Sequence, residues 1–306
     1  MTILVGYPLK RRAIAVLSLA GMLARTSGQD LVVCVVIPAP WTPGLSRADQ
    51  GYRAYIDELV DAAIAQARED MPADVSAQFT TIQAKSAPNG LLEAAAQHDA
   101  SVIVTGSSDS GQFGYISLSS VADRLLHSSH LPVAVATRGF RAGGGKIKRI
   151  TLAFTGGEQS SLLLVSARAM AAQYGCDLRL ASFAVHLSPP ETARFRAERG
   201  TVLAEWTQNI YAAADTAFKP EGSPQTAPPE IVIGHGQDWD EAFESIEWDA
   251  GDVLVVGSSD AGPIARVFIG SRATKIVRHT PVPVIVVPRS AAEELAEEVQ
   301  KESGDR

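Results

Sequence analysis

The sequence predicts an α/β protein made of two tandem copies of one doubly wound, five-stranded parallel-sheet domain. Three observations carry that prediction: the second half of the 306-residue chain repeats the first, short apolar runs alternate with helical stretches, and those runs are apolar throughout. A length of this order also suits two domains, each large enough to bury a core.

The repeat emerges when the chain is divided near Gly143-Gly144-Gly145, a glycine run that reads as a linker. LSLAGMLARTSGQDLVV at 17–33 then lies over LVSARAMAAQYGCDLRL at 164–180, with Gly28 on Gly175, Asp30 on Asp177 and Leu31 on Leu178, 147 positions on. Further along, SVIVTGSSDSG at 101–111 lies over DVLVVGSSDAG at 252–262, and LPVAVATR at 131–138 over VPVIVVPR at 282–289. The offset has grown to 151, so four net residues entered the middle of the second copy. Agreement in both order and kind makes duplication the natural explanation. The expected domains are 1–140 and 146–290, followed by a tail at 291–306 that is acidic and helix-prone and reads as a solvated terminus.

Each copy carries the same elements in order. A short apolar strand (Ile3–Val5; Ile150–Phe154) leads through a turn to a helix of small and aliphatic residues that a glycine ends, Gly28 or Gly175. A β-branched run follows (Leu31–Ile37; Leu178–Val185), then a Pro-containing stretch and a helix over Gly51–Asp70 or Thr192–Phe218. Next come a strand (Gln78–Gln83; Glu230–Ile233) and a helix (Asn89–His98; Trp239–Trp248). Trp239 and Trp248 on one helix suggest that one of them faces a contact surface. The fourth strand ends in Gly-Ser-Ser-Asp, a helix spans 119–128 or 270–279, and the last strand begins just after a proline. Alternation of strand and helix implies right-handed crossovers and a parallel sheet covered on both faces, which suits the unbroken apolar runs VIV, VLVV and VIVV. Ligands of such sheets bind beyond the carboxyl ends of the strands, where strand order reverses.

Composition narrows the function classes. Hydrophobic residues make up 46% and charged residues 20%, an ordinary globular balance, and no apolar run is long enough to span a bilayer. The net charge of −7 argues against a nucleic-acid surface. Ile3–Val5 is followed at once by Gly6, Pro8 and Lys10-Arg11-Arg12, the wrong order for a signal peptide. Cys34 and Cys176 suggest neither a metal site nor a disulfide framework, so a reducing cytoplasm is the expected compartment.

The segment DVLVVGSSDAGPIARVFIGSRATKIVRHTPVPVIVVPR at 252–289 resembles the C-terminal signature of the universal stress protein family. The matching features are Gly257-Ser258, Gly270-Ser271, Arg278-His279, Pro281 and Pro283-Val284; the first copy matches more loosely through Gly106-Ser107, Ser119-Ser120, His130 and Pro132-Val133. The resemblance implies an adenine nucleotide alpha hydrolase-like fold in each copy. It also implies pairing of last strands, here Val133–Ala136 with Val284–Val287, so that the two domains form an internal pseudo-dimer.

ATP-binding relatives share Gly-x2-Gly-x9-Gly-Ser/Thr on this loop, where glycines let backbone N–H groups approach phosphate and a helix N-terminus adds favourable partial charge. The second copy keeps Gly257, Gly270 and Ser271 but has Asp260 at the middle glycine, with Gly262 two residues later; the first copy has Asp109 there and Ser119 at the last glycine. A carboxylate about 4 Å from a phosphate costs roughly 1 to 4 kcal/mol, which a magnesium ion arriving with ATP would reverse. Relatives usually end the first strand with an aspartate at the nucleoside; Pro8 and Thr155 stand there instead. Where a valine backbone meets adenine, the copies have Val36 and Phe183, and Phe183 would either crowd or stack on a base. The expected nucleotide contacts therefore lie in the second copy: Thr155, Gly156, Gly157, Phe183, Gly257, Ser258, Gly262, Gly270, Ser271 and Arg272, with Arg266 also flanking the loop. The same glycines serve equally as a tight turn before a helix N-cap.

The resemblance implies a non-catalytic stress-response regulator that binds ATP in its second domain and acts through protein partners and self-association, including as a homodimer. Two alternatives stand beside it: a nucleotide-free interaction module, and an ATP-using enzyme of the related superfamily, whose Ser-Gly-Gly-x-Asp-Ser loop is echoed only faintly by Thr155-Gly156-Gly157-Glu158-Gln159-Ser160. His279 is expected to cap a helix C-terminus. His186, His235 and Asp238 show no spacing of a hydrolytic triad or metal site.

Overall fold

The computed structural model describes residues 1–39, 47–185, 193–218, 229–258 and 271–293. Its first half runs β1 (Thr2–Tyr7), α1 (Ile14–Ser27), β2 (Leu31–Pro38), α2 (Arg47–Asp70), β3 (Ala77–Ala84), α3 (Ala87–Gln97), β4 (Ala100–Gly106), α4 (Ser120–Ser128) and β5 (Val133–Ala136). The second half repeats it with β6 (Arg149–Ala153), α5 (Glu158–Tyr174), β7 (Asp177–Val185), α6 (Ala193–Phe218), β8 (Glu230–Gly236), α7 (Trp239–Glu244), β9 (Asp252–Gly257), α8 (Ser271–His279) and β10 (Val284–Val287). Strand order in the single ten-stranded sheet is β3-β2-β1-β4-β5-β10-β9-β6-β7-β8. Every pairing is parallel but one: β10 runs antiparallel to β5, with Val284 opposite Val135, Ile285 opposite Ala134 and Val286 opposite Val133. The halves are thus an internal pseudo-dimer joined through their last strands, as the family resemblance implies. Both strands are flanked on each side within the sheet, which leaves β3 and β8 as its edges.

Two apolar layers cover the sheet. The cluster on one face draws on α1, α2, α5 and α6 through residues such as Leu17, Met22, Ala67, Leu164 and Ile210. The cluster on the other face draws on α3, α4, α7 and α8 through Leu91, Leu125, Phe243 and Val277. Alternation along the central strands feeds both layers: Ala134 and Ile285 belong to the first, Val133, Val135, Val284 and Val286 to the second.

Helix ends follow local chemistry. Gly28 and Gly175 close α1 and α5 in the left-handed region at φ 73° and 62°, where a side chain would be strained. Ser86, Ser119 and Asp238 cap α3, α4 and α7 by accepting from Asn89, Ala122 and Glu241 N–H. The linker is pinned rather than loose: Ala142 N–H donates to Ser18 Oγ at 2.8 Å and Ile147 N–H to Thr26 Oγ1 at 2.9 Å, both on α1.

Three expectations need correction. The helix predicted over Trp239–Trp248 ends at Glu244, because Ser245 Oγ turns back to Ala242 O at 2.9 Å. Trp248 then folds over the helix end, its indole N–H donating to Phe243 O at 2.9 Å, and it is half-buried instead of on an exposed helix face. The tail begins packed: Ala291 and Ala292 are buried, and Ser166 Oγ donates to Ala292 O at 3.0 Å. His279, in the last turn of α8 as expected, also bridges to α7, its Nδ1 meeting the Asp240 carboxylate at 2.6 Å. Beyond these, the second half contains a buried ion cluster. Asp252, 1% exposed, accepts from Arg149 Nε and Nη2 at 2.9 and 2.7 Å and lies 3.5 Å from Arg179 Nη2, which is itself buried.

Candidate functional site

Strand order reverses between β1 and β4 in the first repeat and between β6 and β9 in the second. At the carboxyl ends of β6 and β9 lies a cavity of about 180 Å³. Its walls are Ala153, Leu163, Val256 and Ile276; its polar rim includes Thr155, Ser258, Arg272 and Arg289. β6 delivers Thr155, β9 delivers Gly257-Ser258, and the first turn of α8 delivers Arg272. A Cβ on Gly257 would approach Leu163 Cδ2 to 3.0 Å, so a side chain there would invade the wall.

The polar atoms already have partial roles. Ser258 N–H donates to Val287 O at 3.0 Å and its hydroxyl accepts from Arg289 N–H at 3.2 Å, tying the end of β9 to β10. Thr155 Oγ1 lies 3.4 Å from Ser160 Oγ, which donates to Gly157 O at 2.7 Å. Arg272 is exposed and has no carboxylate partner among the described residues. A guanidinium beside an apolar slot suits a ligand with a flat apolar part and an anionic part.

The remaining sequence-predicted contacts fall elsewhere or outside the described residues. Gly157 is the N-cap of α5, and Gly156, at φ +79°, faces Ile210 and Ala213 of α6; neither lines the cavity. Phe183 belongs to an aromatic cluster, stacked on Phe243 at 4.3 Å and 6.1 Å from Trp239, and does not line the cavity either. Gly262, Gly270, Asp260 and Arg266 lie outside the described residues, while Ser271 opens α8. Sequence reading missed Arg289, although its match to Arg138 at the end of the aligned last strands was a usable signal.

In the first repeat the corresponding loop closes on itself. Ser108 N–H donates to Ser117 O at 2.7 Å, Gly114 N–H to Arg138 O at 2.9 Å and Ser117 N–H to Ser107 Oγ at 2.7 Å. Asp109, at the motif's middle-glycine position, pairs with Arg11, and Ser119, at its last-glycine position, is spent as the N-cap of α4. Several of the loop's backbone N–H groups are therefore already engaged.

Among the described residues there is no group of three or more His, Cys, Asp or Glu able to hold a metal ion, and no helix long and apolar enough to cross a membrane. Burial pushes the Cys34 thiol up to about 11, leaving it protonated and unreactive.

The family profile described as "Universal stress protein family" matches residues 1–137 and again 146–288. A universal stress protein of Mycobacterium tuberculosis is 32% identical over 295 residues, covering 94% of this chain and all of that protein; one from Mycobacterium bovis matches equally. Among solved structures, a universal stress protein from Archaeoglobus fulgidus superposes with a TM-score of 0.59 at 20% identity, covering 94% of this chain and 98% of that one. A putative universal stress protein from Pseudomonas aeruginosa does so at 0.58 and 16%, covering 98% and 97%. Two matched segments, a sheet joined through its last strands and relatives aligned along nearly the whole chain agree: the chain belongs to the universal stress protein family.

Proposed function

We propose that this chain is a non-catalytic, cytoplasmic stress-response regulator that binds ATP through its second repeat and acts by association with partner proteins. The observation that carries the reading is the cavity at the β6/β9 reversal, where Thr155, Gly257, Ser258 and Arg272 converge on apolar walls. These residues fit a nucleotide: Val256, Leu163 and Ile276 offer an apolar surface to a base, and Arg272 offers its guanidinium to phosphates, beside Arg289, whose Nε is paired with Glu293 at 2.6 Å. Magnesium would accompany ATP, balancing the phosphate charge.

Calorimetric titration of the intact chain with ATP and magnesium tests the reading. Saturable binding, weakened about tenfold or more by Arg272→Ala through loss of a charge-assisted contact, is the expected result. Absence of binding would leave the nucleotide-free interaction module, which the closed loop of the first repeat favours for that half.

A further inference from the structure

The two repeats present cavities at matching positions, but with different chemistry. In the first repeat the cavity measures about 260 Å³ and lies between the start of α1 and the ends of β4 and β5. The repeat alignment places Arg138 on Arg289, Arg141 on Ala292, and Arg11-Arg12 on Glu158-Gln159. Four arginines thus line the first cavity where the second repeat has one arginine, an alanine, a glutamate and a glutamine. Among the described residues a single carboxylate, Asp109, lines the first cavity against them.

The partners of those arginines are unequal. Arg11 pairs with Asp109, and Arg12 with Asp70 of α2. Arg138 donates to Gly111 O, and Arg141 Nη1 donates to Phe140 O at 2.9 Å, so both hold only backbone carbonyls. Neither has a carboxylate partner among the described residues. Thr137, 3% exposed, also lines the cavity, and its hydroxyl has no hydrogen-bond partner among the described residues. No side chain caps the start of α1, because Ala13 stands at the N-cap. Two exposed guanidinium groups without carboxylate partners, an unpartnered hydroxyl and the uncapped start of α1 thus line one open cleft.

We propose that the first-repeat cavity binds a phosphoryl dianion, either free phosphate or the head of a small phosphomonoester, through Arg138, Arg141 and Thr137. The duplicated cavities therefore differ in chemistry. In the loop from Ser107 to Leu118 several N–H groups, among them those of Ser108 and Ser117, are engaged internally, and Phe113 packs on Gly139. The second-repeat reading is not a premise of this inference.

The test is calorimetry on the full chain carrying Arg272→Ala, which disables the second cavity, in phosphate-free buffer at low ionic strength. Inorganic phosphate and glycerol phosphate are the probes, with ATP as the contrast. The expected result is saturable binding of at least one probe, weakened about tenfold or more in the Arg138→Gln/Arg141→Gln double variant. Tighter binding of phosphate identifies the free ion as ligand, and tighter binding of the ester identifies the monoester class. Because Arg138 also holds the loop, Arg141→Gln alone serves as the second variant, with thermal melting to verify its fold; it should lose several-fold. No saturable binding of either probe would overturn the proposal. So would unchanged affinity in the folded Arg141→Gln and double variants, or ATP binding tighter than both probes at this cavity.

Discussion

Asp252 shows how much a single buried group can decide. It is 1% exposed and takes hydrogen bonds from Arg149 while facing buried Arg179, whose cation also lies 4.9 Å over the Trp248 ring. Burial draws the Arg179 pKa down, with Arg149 adding to the effect, whereas bonding to Asp252 raises that of Arg149. Removing the carboxylate leaves a buried guanidinium uncompensated. Asp252→Ala should therefore cost about 3–5 kcal/mol, read as a lowered urea midpoint, while Asp252→Asn should cost less because hydrogen bonding is partly kept. Asp74 gives a pH-dependent counterpart at the surface. Its hydrogen bond from Arg25 lowers its pKa from 3.8 to about 2. A carboxylate depressed in the folded state contributes stability that is present above the unfolded pKa and lost as pH falls through the folded one. The stability difference between the native chain and Asp74→Asn should therefore persist above pH 3.8 and vanish as pH approaches 2. None of these pairings was legible in the sequence, since Arg149 and Asp252 meet only because β6 and β9 are neighbours.

At the scale of elements, the glycine-terminated first helix was readable from each repeat because a left-handed residue must follow the last turn. Gly28→Ala should destabilise by about 1–2 kcal/mol through the strained backbone alone, measurable by thermal unfolding, since no atom lies within 4 Å of the added methyl. The strands were equally legible, because runs such as Val253–Val256 are buried on both faces of a parallel sheet. The end of α7 was not. Its helical pattern continues past Ser245, but the return of Trp248 onto Phe243 is a tertiary choice that periodicity does not encode. The site divides similarly. Gly257, Ser258, Thr155 and Arg272 were expected beside one another because they follow strands or open a helix at the reversal of strand order, and they line one cavity. Phe183, by contrast, was drawn away by Phe243 and Trp239, and those partners come from α7, more than fifty residues later in the chain.

Across the whole molecule, one antiparallel joint turns two domains into one sheet. Ile285 is 4% exposed at the centre of that joint, opposite Ala134. Truncating it removes contacts shared by both halves, so Ile285→Ala should cost about 2–5 kcal/mol, and both repeats should lose stability in a single transition. Amides of Val133–Ala136 and Val284–Val287 should be among the slowest to exchange, because interior strands open only with the sheet. The joint matches the repeats in backbone, yet the cavities beside it have diverged. Arginines surround the first, and apolar walls with Arg272 and Arg289 form the second. A symmetric frame thus carries two cavities of unlike chemistry. Native mass spectrometry of the intact chain with ATP and magnesium tests it most directly. One nucleotide per chain, lost in Arg272→Ala and kept in Arg138→Gln/Arg141→Gln, is the predicted result; two nucleotides per chain, none, or one lost only in the arginine double variant would contradict it.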